Sequence, residues 1–322
     1  MLIRLKKVGS IYREKTILSE LDDHPFAIQL RKTFKDDEYL YLVFEHCPYG
    51  TLNELADQFE NSCMPLKMVQ VYIAQLAVFL DYLHTKKRIV HRDLKPENIL
   101  ISKWKHIKVI DFGDAKYMDD EKNEQFKFEA QDDAYERMGL KDSDCELLDA
   151  GNFDQDDENL RQVEEEQKFK GVGEEEDQIQ DKERSGSFVG TAYYVSPEML
   201  EQNYGGPEGD YWAMGCILFK CIYGRVPFDG QNENLTFHKI VSRDFQFPDE
   251  VEEQAQLNLA DPVSLKHAKD LINKLLVIDF RKRLSSIEAI KSHPFFRGVD
   301  FKNLHQRPVP FDEHFPSESL FQ

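Results

Sequence analysis

The chain has 322 residues, 41% of them hydrophobic, enough to bury a sizeable core in one large domain or two lobes. Its net charge of −19 comes from one place: residues 117–184 hold 25 acidic and 9 basic residues, leaving a nearly balanced 35 and 32 elsewhere. No basic patch is present, which excludes nucleic acid as a partner. The five cysteines (Cys47, Cys63, Cys145, Cys216, Cys221) form no C-x-x-C pair, which argues against a zinc site or disulfide framework and fits reduced thiols. No N-terminal apolar leader and no run of about 18 apolar residues is read, so the expectation is a soluble, cytoplasmic chain without a transmembrane segment.

Residues 10–21 place Ile11, Ile17, Leu18 and Leu21 on one helical face. Two β-rich runs, 26–34 and 39–47, are joined by four polar residues and predict an antiparallel hairpin. Pro48-Tyr49-Gly50 breaks the chain, and a short helix is expected from about Thr51. Residues 66–86 predict a long amphipathic helix, and short strands are expected at 98–102 and 106–110. From 117 to 184 the chain is acidic and aperiodic. It cannot bury enough apolar surface to offset its ordering entropy and predicts a disordered insertion, or else an acidic docking element for a basic partner. Residues 208–224 are too apolar for a surface helix and predict a buried one. Further helices are expected at 233–242, 264–277 and 285–292, the last opened by a Ser285/Glu288 capping box. The tail from Gly298 predicts extended chain.

Three motifs carry chemistry. His91-Arg92-Asp93-Leu94-Lys95-Pro96-Glu97-Asn98 fits the protein-kinase catalytic loop H-R-D-L-x-x-x-N. Asp111-Phe112-Gly113 follows a strand eighteen residues after Asp93, and Ser196-Pro197-Glu198 stands where A-P-E is needed. The reaction they imply is phosphoryl transfer, in which positioning and charge stabilisation do most of the catalysis. Asp93 would accept the substrate hydroxyl proton, Lys95 would neutralise charge on the transferring phosphate, and Asn98 and Asp111 would hold Mg²⁺ beside ATP.

The chain resembles the AGC group of serine/threonine protein kinases, and within it the phosphoinositide-dependent protein kinase family. The residues that say so are Ser187-Phe188-Val189-Gly190-Thr191-Ala192-Tyr193-Tyr194-Val195, Leu21-Asp22-Asp23-His24-Pro25-Phe26, Leu275-Leu276-Val277-Ile278-Asp279, His293-Pro294-Phe295-Phe296 and Asn303-Leu304-His305-Gln306. The resemblance covers about residues 8–116 and 185–306. It implies an α+β, bilobal protein-kinase-like fold with an incomplete small β-lobe and a complete, mainly α-helical C-lobe. Partial N-lobe is expected at 1–47, C-lobe with the catalytic loop at 48–116, the insertion at 117–184, the rest of the C-lobe at 185–297 and a tail at 298–322.

Position by position, it implies that Glu14 is the helix glutamate that pairs with a strand lysine, and that Leu18, Leu30, His91 and Phe112 form a stacked hydrophobic spine. Phe44 would be the gatekeeper, with Glu45 and Cys47 giving backbone hydrogen bonds to adenine and Leu100 packing beneath it. Ser187 would be the activation-loop phosphosite, its phosphate pairing with Arg92. Thr191 would bond Asp93 and Lys95, Glu198 would pair with Arg283, and Asp210 would brace the catalytic loop. Val8, Ile11 and Leu40 match part of a pocket that docks hydrophobic tails of substrate kinases.

The pattern fails at the start. No glycine-rich loop and no V-A-I-K lysine precede Glu14, and Lys6 and Lys7 lie too close to it to substitute. Leu30, Leu40 and Leu42 would therefore lose packing partners. Thr51 stands where an acidic residue usually holds the ribose. Two readings follow: a serine/threonine kinase with protein substrates, including other AGC kinases, or a catalytically impaired kinase-like scaffold.

Overall fold

The computed structural model describes residues 8–21, 24–35, 40–119, 123, 192–249, 262–306, 309 and 315–316. Of residues 117–184, expected to be an acidic insertion, all but 117–119 and 123 lie outside them, as does about half of the tail. The described chain has a small region, formed by one helix and a hairpin, and a larger helical region.

Helix α1 spans Val8–Leu21, and its Ile17, Leu18 and Leu21 are buried, as the 3.6-residue spacing requires. Strands β1 (Leu30–Lys35) and β2 (Leu40–Phe44) pair antiparallel, with Leu30 opposite Phe44 and a register shift between Leu30 and Lys32. Of the three leucines expected to lose packing partners, Leu40 has its side chain outside the described residues. Phe34, Tyr41 and Val43 face solvent, whereas Leu30 and Leu42 are half-buried, and Leu30 and Phe44 pack against the core. The strand period of two decides this, because the face that meets the core takes alternate residues.

Helix α2 is Leu52–Ala56, and α3 is Leu66–Asp81, prolonged by a π-helical turn at Tyr82–Lys87 that ends on Arg88 at φ +58°. Against the expectation of no such run, Leu66–Lys87 is long and apolar enough to cross a membrane, with mean hydropathy 1.3. Its window is 67% buried inside the fold, so it is the central core helix. Short strands β3 (Ile89–Val90), β4 (Ile99–Ile101), β5 (Ile107–Val109) and β6 (Lys116–Tyr117) form two antiparallel ribbons, β3 with β6 and β4 with β5.

Helices α4 (Pro197–Gln202), α5 (Pro207–Tyr223), α6 (Glu233–Ser242), α7 (Pro262–Leu275) and α8 (Ile287–Lys291) complete the larger region. Helix α5 is buried along nearly its whole length, and Trp212 stacks on Phe228 at 5.3 Å. A Cβ on Gly215 would lie 2.9 Å from Leu275 Cβ, so glycine sets how closely α5 approaches α7. Helix α7 stops at Leu275, two residues before the expected end, and beyond it the Val277 carbonyl accepts Arg283. The cap of α8 is Ser286 and not Ser285: Ser286 has extended backbone and its hydroxyl accepts the Ala289 N–H.

Candidate active site

The segment after β3 is held from below by one carboxylate. Asp210, near the start of α5 and 1% exposed, accepts the N–H groups of His91 and Arg92, both at 2.9 Å, and lies 2.7 Å from His84 Nε2. Burial alone would raise its pKa. The hydrogen bond from His84 and the charges of His84 and His91 outweigh that and hold it below the usual carboxylate value. Arg92 has φ +73°, a left-handed conformation that costs energy in a residue with a Cβ and persists because its N–H is locked.

That loop brings Asp93, Lys95 and Asn98 together. Asp93 Oδ2 accepts Lys95 Nζ at 2.9 Å and Asn98 Nδ2 at 3.0 Å, and Asn98 Nδ2 also donates to the Asp93 carbonyl at 2.9 Å. Asp93 Oδ1 is buried and has no partner among the described residues. Asp111, at φ +64°, follows β5 and accepts the Gly113 N–H at 3.3 Å. Phe112 is fully buried, its ring 4.9 Å from His91 and 6.4 Å from Phe79, and His91 Nε2 donates to the Ile110 carbonyl at 3.0 Å. Leu18 is buried and Leu30 half-buried on the same core.

Two contacts from α1 escaped the sequence reading. Arg13 Nη1 donates to the Gly113 carbonyl at 2.6 Å, and a Cβ on Gly113 would lie 2.5 Å from Ser10 Oγ. The signal was present: positions 10, 13, 14 and 17 form one helical stripe. Glu14 stands on that stripe, half-buried. Burial and the charge of Asp111 push its pKa up to about 7, and no ion pair holds it among the described residues.

Phe44 closes β2, and Glu45 and Cys47 follow it. The Glu45 N–H donates to the Gln29 carbonyl at 2.9 Å. The Cys47 thiol is half-buried and pushed up to about 11 by burial. Leu100, in β4, is half-buried and bridges to Thr51. Thr51 caps α2: its hydroxyl accepts the Glu54 N–H at 3.1 Å and Glu54 returns a bond to the Thr51 N–H at 2.7 Å. Among the docking-pocket positions Ile11 is half-buried, and the side chains of Val8 and Leu40 are outside the description.

Arg283 and Glu198 form a two-pronged ion pair, at 2.6 and 2.8 Å, with side chains 0% and 1% exposed. Arg283 also donates to the Glu208 and Val277 carbonyls and lies 5.0 Å from the Trp212 ring centroid. The pair fastens α4 beneath a cleft of about 860 Å³ lined by Asp93, Asp114, Val195, Leu200, Glu233 and Phe237, among others. Ser187 and Thr191 lie outside the described residues.

The protein kinase domain model matches residues 3–135 and 175–296. The chain belongs to the protein kinase family. Within it, the chain is similar to the 3-phosphoinositide-dependent kinases: 32% identical over 96% of its length to human 3-phosphoinositide-dependent protein kinase 1, and 34% identical over 98% to 3-phosphoinositide-dependent protein kinase B of Dictyostelium discoideum. It is also 33% identical over 96% to the serine/threonine-protein kinase ksg1 of Schizosaccharomyces pombe. The chain spans 43%, 27% and 42% of those three proteins.

Proposed function

We propose that this chain carries the catalytic machinery of a cytoplasmic serine/threonine protein kinase, which moves the γ-phosphate of ATP to a protein hydroxyl. Activation loops of other AGC kinases are the proposed substrates, on the similarity to 3-phosphoinositide-dependent kinases. The observation that carries the reading is the split carboxylate of Asp93. One oxygen is held by Lys95 and Asn98, and the other is buried, at the edge of the cleft, with no partner among the described residues. A substrate hydroxyl completes that oxygen, and Asp93 then orients it and takes its proton. Lys95 stands 2.9 Å away to meet the phosphoryl charge. Asn98 has its amide N–H committed to Asp93, which leaves its oxygen outward-bonding. That oxygen and the Asp111 carboxylate are hard donors that fit Mg²⁺, which supplies charge neutralisation along the phosphates when bound. The Glu45 carbonyl and Cys47 N–H would hold adenine over Leu100. Phosphorylated Ser187 would pair with Arg92, and Thr191 would bond Asp93 and Lys95.

Titration calorimetry of the folded chain with MgATP tests this. Micromolar affinity, lost in Asp111→Asn, is the expected result, with phosphate transfer falling about 10²–10⁴-fold in Asp93→Asn. The second reading, a kinase-like scaffold, is favoured by Glu14, whose carboxylate sits beside Asp111 without an ion pair among the described residues. A folded chain with no MgATP affinity would establish it over the first.

A further inference from the structure

Lys108 is a cation in the middle of a strand, with a side chain only 10% exposed, a position where charge is costly unless it is paired. Its Nζ lies 2.7 Å from Glu45 Oε1, and the Glu45 side chain is 18% exposed. Lys108 also donates to the Ala27 carbonyl at 3.2 Å, and Glu45 Oε1 accepts the Gln29 N–H at 3.0 Å. Backbone bonds surround the pair: Ile28 N–H to Val109 O at 3.1 Å, Val109 N–H to Phe26 O at 2.8 Å, Glu45 N–H to Gln29 O at 2.9 Å. Three segments therefore meet at one charge: the loop after α1, the link after β2, and strand β5. Lys108 is also the direct cross-strand partner of Leu100, so both side chains stand on one face of the β4–β5 ribbon.

We infer that the Lys108–Glu45 ion pair is a pin for the nucleotide pocket, and that Lys108 is its positioning residue. The pin sets the Glu45–Cys47 backbone at a fixed height above Leu100 and couples it to the strand that delivers Asp111. A neutral residue at 108 leaves the partly buried Glu45 carboxylate without its cation and frees the link to move. The nucleotide role rests on the kinase reading above. The pinning itself does not.

The test is amide hydrogen exchange of the full chain, combined with MgATP titration, on Lys108→Met and Lys108→Arg. Lys108→Met is expected to speed exchange about tenfold at residues 26–29 and 44–50 while α5 keeps its protection. It is expected to weaken MgATP about tenfold, with Lys108→Arg restoring both. Glu45→Gln is the second variant should Lys108→Met not fold, with the same expected exchange pattern. Unchanged exchange at 44–50, or loss of protection spread equally over α5, overturns the pin. A wild-type chain without MgATP affinity overturns the kinase reading, and the exchange result still decides the pin.

Discussion

Two carboxylates stand behind the site, one in each region. Asp210, in the helical region, is fully buried yet held below the ordinary carboxylate pKa by His84 and two backbone N–H groups. Glu14, in the small region, is only half-buried yet raised to about 7, because burial penalises its charge, no cation offsets that among the described residues, and the charge of Asp111 adds to it. The difference is how far each region compensates its charges by itself. The helical region completes its polar bonds internally, as Arg283 and Glu198 also show, and so presents Asp93 on a rigid base. The small region holds its part of the site through a few long-range contacts: Arg13 to Gly113, Tyr82 to the Leu21 carbonyl, and Lys108 to Glu45.

The largest effect should come from breaking the compensated side. Arg283→Ala leaves the Glu198 carboxylate buried without its cation, and urea unfolding should show a loss of ~3–5 kcal/mol. A loss under about 1 kcal/mol would mean that the helical region does not depend on this pair.

Acid should act next, and on the small region. His24 stacks on Tyr82 at 4.2 Å, and burial, helped by the charge of Lys108, lowers its pKa from 6.5 to about 4. The unfolded chain takes up this proton first as pH falls. His24 should therefore cost no stability above pH 6.5 and a growing amount between about 6.5 and about 4, reaching ~2 kcal/mol after allowance for its partial exposure. His24→Phe should lose this part of the acid sensitivity in unfolding curves at pH 7 and pH 5.

Glu14→Gln removes one of two facing negative charges and should raise stability slightly, by ~1 kcal/mol or less in thermal melts at pH 8. A fall instead would reveal a cation that compensates Glu14. The smallest effect is expected on the exposed face of the hairpin. Phe34 stacks on Tyr41 at 4.7 Å but is 46% exposed, so Phe34→Ser should cost only ~0.5–1 kcal/mol.

Helix positions were legible wherever periodicity and caps agreed. Glu233–Ser242 has the bounds expected, with Asn232 accepting the Leu235 N–H as its cap. Helix α1 and the buried α5 were equally plain, since one shows a clean apolar stripe and the other is apolar all round. Adjacent serines at 285 and 286 defeated the capping rule, because both can cap and only backbone conformation chooses between them. The hairpin was legible as a hairpin, but not its buried face, which depends on what it packs against.

The kinase motifs that carry Asp93 and Asp111 were legible in the sequence alone, because chemistry restricts those residue types to a fixed local spacing. The sequence likewise determined the family and the acidic character of residues 117–184, which depend on identity and composition and on no contact. Only the tertiary structure decided that Arg13 reaches Gly113, that the charge of Asp111 acts on Glu14, and that Lys108 meets Glu45. These partners lie far apart in the chain. Their pairing follows from how α1, the hairpin and β5 pack, and local patterns of charge and hydrophobicity do not encode which distant groups that packing brings within bonding distance.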